Sequence, residues 1–356
     1  MGRELVGTLL AACATDEQDS HNYQVSNLPG LDLKLYGANP MSNFIRFLFL
    51  AMAIPCAVTV VNAQTGLVSF RKPDGLILST GNLYFTSHDA AGATVWRTSQ
   101  TSVPGQETVL YWEAGARFGD IVFAQVGGAF FGYFFVQNAS GITIKRVSLT
   151  GGPATVLTTV TNVDIANSHR NLVTDGVNLY WQDDVAIRKM PIGGGAVTAL
   201  DPVSPNTPTA GLELQGGRII YASVAAIRFV PTTGAVTSPL VRTIHNAATR
   251  VTALHAVSNG VYWGEQNGAV RLKVGSTVTT LRASGPVPTS ISNNQSSSGG
   301  AQSWTRCGNQ TCELQFVFSF VQATKAIGAD AFGVTVTPGT RTVFWGDAAG
   351  VHKQVF

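Results

Sequence analysis

Only 12% of the 356 residues are charged, the net charge is +3, and no cluster of lysine or arginine forms the basic surface that tracks a phosphate backbone, so nucleic acid is set aside as a partner. Long apolar patterns of period 3.6 are missing, which argues against a helical fold. Valine, threonine, aromatic residues and 38 glycines point to an all-β chain instead.

Residues 1–40 read as an N-terminal extension ahead of the true start at Met41. Within it, Leu10-Ala11-Ala12-Cys13 has the form of a lipobox, which would attach a lipid to Cys13 as an alternative address. Residues 41–63 read as a secretory signal: Arg46 precedes the apolar run Phe47 to Val61, and Val61-Asn62-Ala63 places cleavage before Gln64. That run contains Pro55 and is shorter than the roughly 20 residues a spanning helix needs. The expectation is a secreted or periplasmic mature chain with no membrane span, comprising one domain over residues 64–356.

Thr65 to Arg71 read as an isolated strand. From there the chain repeats. An aromatic strand recurs at Tyr84, Phe134, Tyr180, Tyr221, Tyr262, Ser303 and Phe344, in steps of 50, 46, 41, 41, 41 and 41 residues. After each lies a polar turn and a further strand, such as VAIRKMPI or GVHKQVF, and most units add an outer strand such as AVTALD. A short run such as AGLELQGG precedes each aromatic strand. Four strands per unit at this interval predict a β-propeller of seven blades, or six if the Ser/Gly-rich sixth unit is an insertion. The last unit ends at Phe356 without its fourth strand, so the N-terminal strand is expected to complete it and remove an open edge. The tyrosines and tryptophans are expected to pack between neighbouring sheets, since one blade cannot bury both faces alone.

The repeat resembles those of YWTD-type and TolB-like β-propellers, in which an aromatic pair ends the second strand and a Gly-Gly turn precedes the outer one. LYWQDD, VYWGEQ and VFWGDA carry the resemblance, together with PIGGGAVTAL and SLTGGPATVL. It implies a propeller over nearly all of residues 66–356. Strict YWTD and that family's regularly placed aspartates do not occur, so the resemblance implies architecture and no particular activity.

Cys307 and Cys312 flank Gly308-Asn309-Gln310-Thr311, a tight-turn sequence between two strands, and an exported chain would join them as a disulfide. The turns after the second strands carry His88, Asp89, Asp183, Asp184, Glu265 and Asp347, which on one propeller face would form a sparse acidic ring for a basic partner or Ca²⁺. No dense D-x-D-x-D pattern accompanies them, and Asp favours turns in any case. The histidines at 88, 169, 245, 255 and 352 fall in different units. No catalytic residue, metal site or obligatory cofactor is identified, and G-x-S-x-G, H-E-x-x-H and P-loop motifs are lacking. The first expectation is a monomeric, non-enzymatic exported module that binds protein, peptide or glycan. The alternative is an exported, lactonase-like hydrolase or lyase with a metal near the central channel.

Overall fold

In the computed structural model the described residues lie within 65–355, less the short stretches 70–72, 80, 162, 164, 166–170, 203–209, 234–241, 259, 295–300, 309–310, 319–320, 328–331, 337–341 and 348. The extension, the signal segment, Cys13 and His169 fall outside them.

The described residues form 28 strands in seven four-stranded antiparallel sheets. Strands β2 (Pro73–Ser79), β3 (Asn82–His88), β4 (Gly92–Ser99) and β5 (Thr108–Ala114) make the first sheet. β6 (Arg117–Val126), β7 (Ala129–Asn138), β8 (Gly141–Ser148) and β9 (Thr155–Val160) make the second. The third holds β10 (Leu172–Thr174), β11 (Asn178–Gln182), β12 (Ala186–Pro191) and β13 (Thr198–Pro202). In the fourth are β14 (Leu212–Gln215), β15 (Arg218–Ser223), β16 (Ala226–Pro231) and β17 (Arg242–Asn246). β18 (Val251–Val257), β19 (Gly260–Glu265), β20 (Val270–Val274) and β21 (Thr277–Arg282) form the fifth. The sixth comprises β22 (Val287–Asn294), β23 (Ala301–Gly308), β24 (Thr311–Phe318) and β25 (Val321–Ile327). In the seventh, β26 (Phe332–Val336), β27 (Thr342–Asp347) and β28 (Gly350–Val355) are joined by β1 (Thr65–Ser69), whose Thr65 pairs with Lys353. First strands lie against one another in the order β2, β6, β10, β14, β18, β22, β26, and β26 lies against β2.

Second strands β3, β7, β11, β19 and β27 each present an aromatic pair to opposite sides, because successive side chains in a strand point to opposite faces. Trp181, Trp263 and Trp345 are completely or almost completely buried, as are Tyr180 and Phe344. Tyr180 packs with Tyr221 and Val230 of the fourth sheet, and Trp263 with Ile220 and Ala222 of that same sheet. The apolar core is therefore distributed through the inter-sheet spaces. Small residues are needed where first strands come close to second strands: a Cβ on Gly264 would lie 2.4 Å from the Pro288 Cβ of β22.

Strand register corrects two positions in the repeat. Phe134 and Tyr221 occupy the place of Trp181, and it is Tyr133 and Ile220 that match Tyr180. The pairings Trp181↔Arg188, Tyr221↔Arg228 and Phe134↔Lys145 fix this alignment. The β7–β8 hairpin runs two residues further before it turns, so equal spacing along the chain did not mean equal position in the sheet.

Candidate functional site

Turns between second and third strands lie at one end of the sheets, and their ionisable groups mostly point back into the hairpin. In the third sheet Asp183 is buried; its Oδ1 accepts the backbone N–H groups of Val185 and Ala186 at 3.0 and 2.7 Å, and its Oδ2 accepts Arg188 Nε at 2.6 Å. One carboxylate thus closes the turn and neutralises the cation beside Trp181. The seventh sheet repeats this with Asp347, which caps Ala349 N–H at 2.8 Å and lies 2.8 Å from His352 Nε2. His352 in turn stacks on Trp345.

The fifth sheet has a turn one residue longer, and glutamate replaces aspartate. Glu265 is fully buried, and its Oε1 accepts both Trp263 Nε1 at 3.0 Å and Arg271 Nε at 2.8 Å. Asn267 takes over the turn, accepting Ala269 N–H at 3.0 Å. In the first sheet the pair is neutral, Trp96 Nε1 donating to Ser87 Oγ at 2.9 Å.

The second and fourth sheets draw their carboxylate from the sheet before. Lys145 Nζ lies 2.6 Å from Glu113 Oε2 of β5, and Asn138 donates to Glu113 Oε1 at 3.2 Å. Tyr221 donates to Asp201 of β13, beside Arg228. Burial pushes the carboxyl of Glu113 up, but hydrogen bonds from Lys145, Tyr111 and Asn138 outweigh it and hold the group below its ordinary value. Asp201 goes the other way: burial dominates and raises it, against the pull of Tyr221 and Arg228.

Three candidates remain nearer the surface. His88 and Asp89 are exposed, and Asp89 Oδ1 accepts Ala91 and Gly92 N–H of its own turn. Asp184 is half-buried, and its Oδ1 is buried without a hydrogen-bond partner. Among the described residues no three His, Cys, Asp or Glu side chains converge as metal ligands would. Cys307 and Cys312 face each other in the β23–β24 register and are joined by a disulfide. Beside the inward carboxylates, valines point out. Val185 and Val224 are 42% and 54% exposed in the second-to-third turns of the third and fourth sheets. Val224 has φ +53°, a left-handed conformation that a β-branched residue rarely adopts. Its carbonyl accepts Val251 N–H at 2.9 Å, and Ala225 O accepts Ala247 N–H at 2.6 Å, which fastens this turn to the following chain.

No family model and no curated protein sequence matches the chain. Solved structures do. A chain of the mitotic checkpoint complex aligns with TM-score 0.59 at 12% identity, over 94% of this chain and 100% of that one. The WD40 β-propeller domain of Doa1 aligns with TM-score 0.55 at 10% identity, over 82% of this chain and 96% of that one. The computationally designed Ika8 protein aligns with TM-score 0.51 at 15% identity, over 82% and 100%. The chain is an all-β propeller with four-stranded antiparallel blades. No helix among the described residues is long and apolar enough to cross a membrane.

Two tests follow from the hairpin clamps. Arg271→Met leaves Glu265 buried beside only the indole, and should cost about 3 kcal/mol of stability in urea titrations. Adding Glu265→Met should recover much of that loss, and additive effects of the two substitutions would show that the pair is not coupled. Glu113, with its folded value lowered, contributes stability above its unfolded value of about 4.3 and loses that contribution as pH falls. Glu113→Gln should therefore be less stable than the parent at pH 7, and the difference should shrink below about pH 4 in thermal melts across pH.

Proposed function

We propose that the chain is an exported, non-enzymatic binding module that recognises a protein, peptide or glycan through the ends of its propeller. The observation that carries the reading is the inversion at the second-to-third turns. Asp183, Glu265 and Asp347 are spent inside their hairpins, whereas Val185 and Val224 face solvent. Exposed apolar side chains on a rigid, strained turn suit contact with a macromolecule better than proton transfer does. Propeller likeness to a chain of a multiprotein complex and to a WD40 domain supports the class of function.

The test begins with the chain expressed from Met41 in a bacterial host. Protein recovered outside the cytoplasm should start at Gln64, and retention of residues 41–63 inside the cell would defeat the export reading. The recovered protein is then screened on peptide and glycan arrays and against lactone and ester substrates with and without added divalent metal. Binding that Val185→Asp and Val224→Asp abolish, without turnover, is the expected result. Metal-dependent turnover would establish the lactonase-like alternative.

We further propose that the seven sheets form one seven-bladed ring latched by β1. Pairing of β1 with β28 and contact between β26 and β2 support this. A chain beginning at Pro73 should melt well below one beginning at Gln64, and equal melting temperatures would sink the latch.

A further inference from the structure

The third strands carry two adjacent columns of side chains facing opposite ways. One column is the clamp already described; the other points towards the following sheet. Its members include Arg97, Arg146, Lys189, Phe229, Leu272 and Lys353, opposite Tyr84, Tyr133, Tyr180, Ile220, Tyr262 and Phe344. Three of the cations stitch sheets together by donating to a carbonyl just past the next sheet's third strand. Arg97 reaches Leu149 O at 3.5 Å, Lys189 reaches Thr232 O at 2.9 Å, and Lys353 reaches Gln100 O at 3.3 Å.

In the fourth sheet the stitch position is Phe229, which cannot make that bond. A cleft of about 470 Å³ lies there, between the fourth and fifth sheets. Ile220 and Phe229 of the fourth sheet, and Val261 of the fifth, supply apolar walls. Arg218 lies over the Phe229 ring at 4.6 Å, and Lys273 lines the side formed by the fifth sheet. Among the described residues no acidic residue lines the cleft, and neither the Arg218 nor the Lys273 side chain has a carboxylate or hydrogen-bond partner. The cleft opens at the end of the sheets opposite the carboxylate turns, with Arg218 and Gly275 exposed at its mouth.

We propose that this cleft binds an acidic peptide segment whose carboxylates meet Arg218 and Lys273 while a neighbouring apolar side chain rests on Phe229 and Val261. The inference rests on the binding-module reading above and names its site and partner chemistry. Two unmatched cations over an apolar floor call for an anion with an apolar neighbour. Phe229 beneath the Arg218 guanidinium attracts the cation through its ring face, and a guanidinium so placed still has N–H groups to pair with a carboxylate. A small molecule is usually enclosed over most of its surface, whereas an open inter-sheet cleft takes side chains from a peptide that stays outside.

Isothermal titration of the chain from Gln64 with acetyl-Phe-Leu-Asp-Asp-amide tests the assignment, with acetyl-Phe-Leu-Asn-Asn-amide and acetyl-Gly-Gly-Asp-Asp-amide as comparisons. Only the first peptide should bind well, and more weakly at high salt. Arg218→Glu and Lys273→Glu should each weaken binding at least tenfold, while Arg250→Glu, an equal charge change at an exposed site outside the lining, should leave it unchanged. Unaltered thermal melts of the variants would confirm that folding is intact. Equal affinity in the Arg218 and Lys273 variants, absence of binding, or binding to vesicles containing anionic lipid in place of the peptide would each overturn the assignment. Array partners that still bind both charge-reversal variants would show that the cleft fails while the binding-module reading stands.

Discussion

A single four-stranded sheet in this chain has apolar side chains on both faces, so each sheet is stable only when covered by a neighbour on either side. That constraint explains the pairing of side chains along the third strand. Because strand side chains alternate, any two adjacent residues there face different neighbours. At 188 and 189 the chain places Arg and Lys: Arg188 returns to Asp183 within its own hairpin, and Lys189 reaches forward to Thr232 O of the next sheet. The aromatic pair opposite them, Trp181 and Tyr180, divides its bulk between the same two spaces. Apolar burial supplies the attraction, and the paired cations fix how the sheets are set against one another.

Carboxylate supply shows how much freedom this arrangement leaves. The cation beside the second-strand aromatic meets a carboxylate from its own turn in the third and fifth sheets, and from the preceding sheet's outer strand in the second. In the fourth sheet Arg228 has Ser223 at the turn and Asp201 behind it. Either geometry neutralises a cation that would be costly to bury alone. Repeats can therefore diverge at the turn without losing the clamp, provided a carboxylate arrives from one side or the other. This is why the turn acids are irregular along the chain although the sheets they serve are alike.

The sequence made the blade legible because Tyr-Trp pairs at constant spacing have one economical meaning, large side chains filling a repeated gap. It did not reveal that Phe134 and Tyr221 sit one column away from Tyr180, because the interval between aromatics also counts the turns and connections, whose lengths differ from sheet to sheet. Nor did it reveal which way Asp183 or Glu265 points. Asp in a turn can cap its own backbone or face solvent, and only the Arg three-dimensionally adjacent to it, at 188 or 271, decides for the inward state. The cleft has a signal in the sequence. IRK at 187–189 becomes IRF at 227–229, a cation replaced by an aromatic in a column that stitches sheets at Arg97, Lys189 and Lys353.

Taken together, the clamp and stitch columns separate the two ends of the sheets by chemistry. At the second-to-third turns, charge is turned inward and valines emerge, with Val224 held at a left-handed φ by bonds from Val251 and Ala247 to its turn. At the opposite end Arg97, Lys189 and Lys353 are spent on carbonyls, whereas Phe229 in the fourth sheet and Leu272 in the fifth cannot donate, and beside Phe229 lie Arg218 and Lys273. Degenerate repeats would be expected to lose stitches at random and fill the gaps with apolar side chains. Here the gap is apolar at its floor and cationic at its edge, with Arg218 set over Phe229. Under the proposal made above, a carboxylate meets that edge while its apolar neighbour meets the floor, so one segment would complete both halves of the gap.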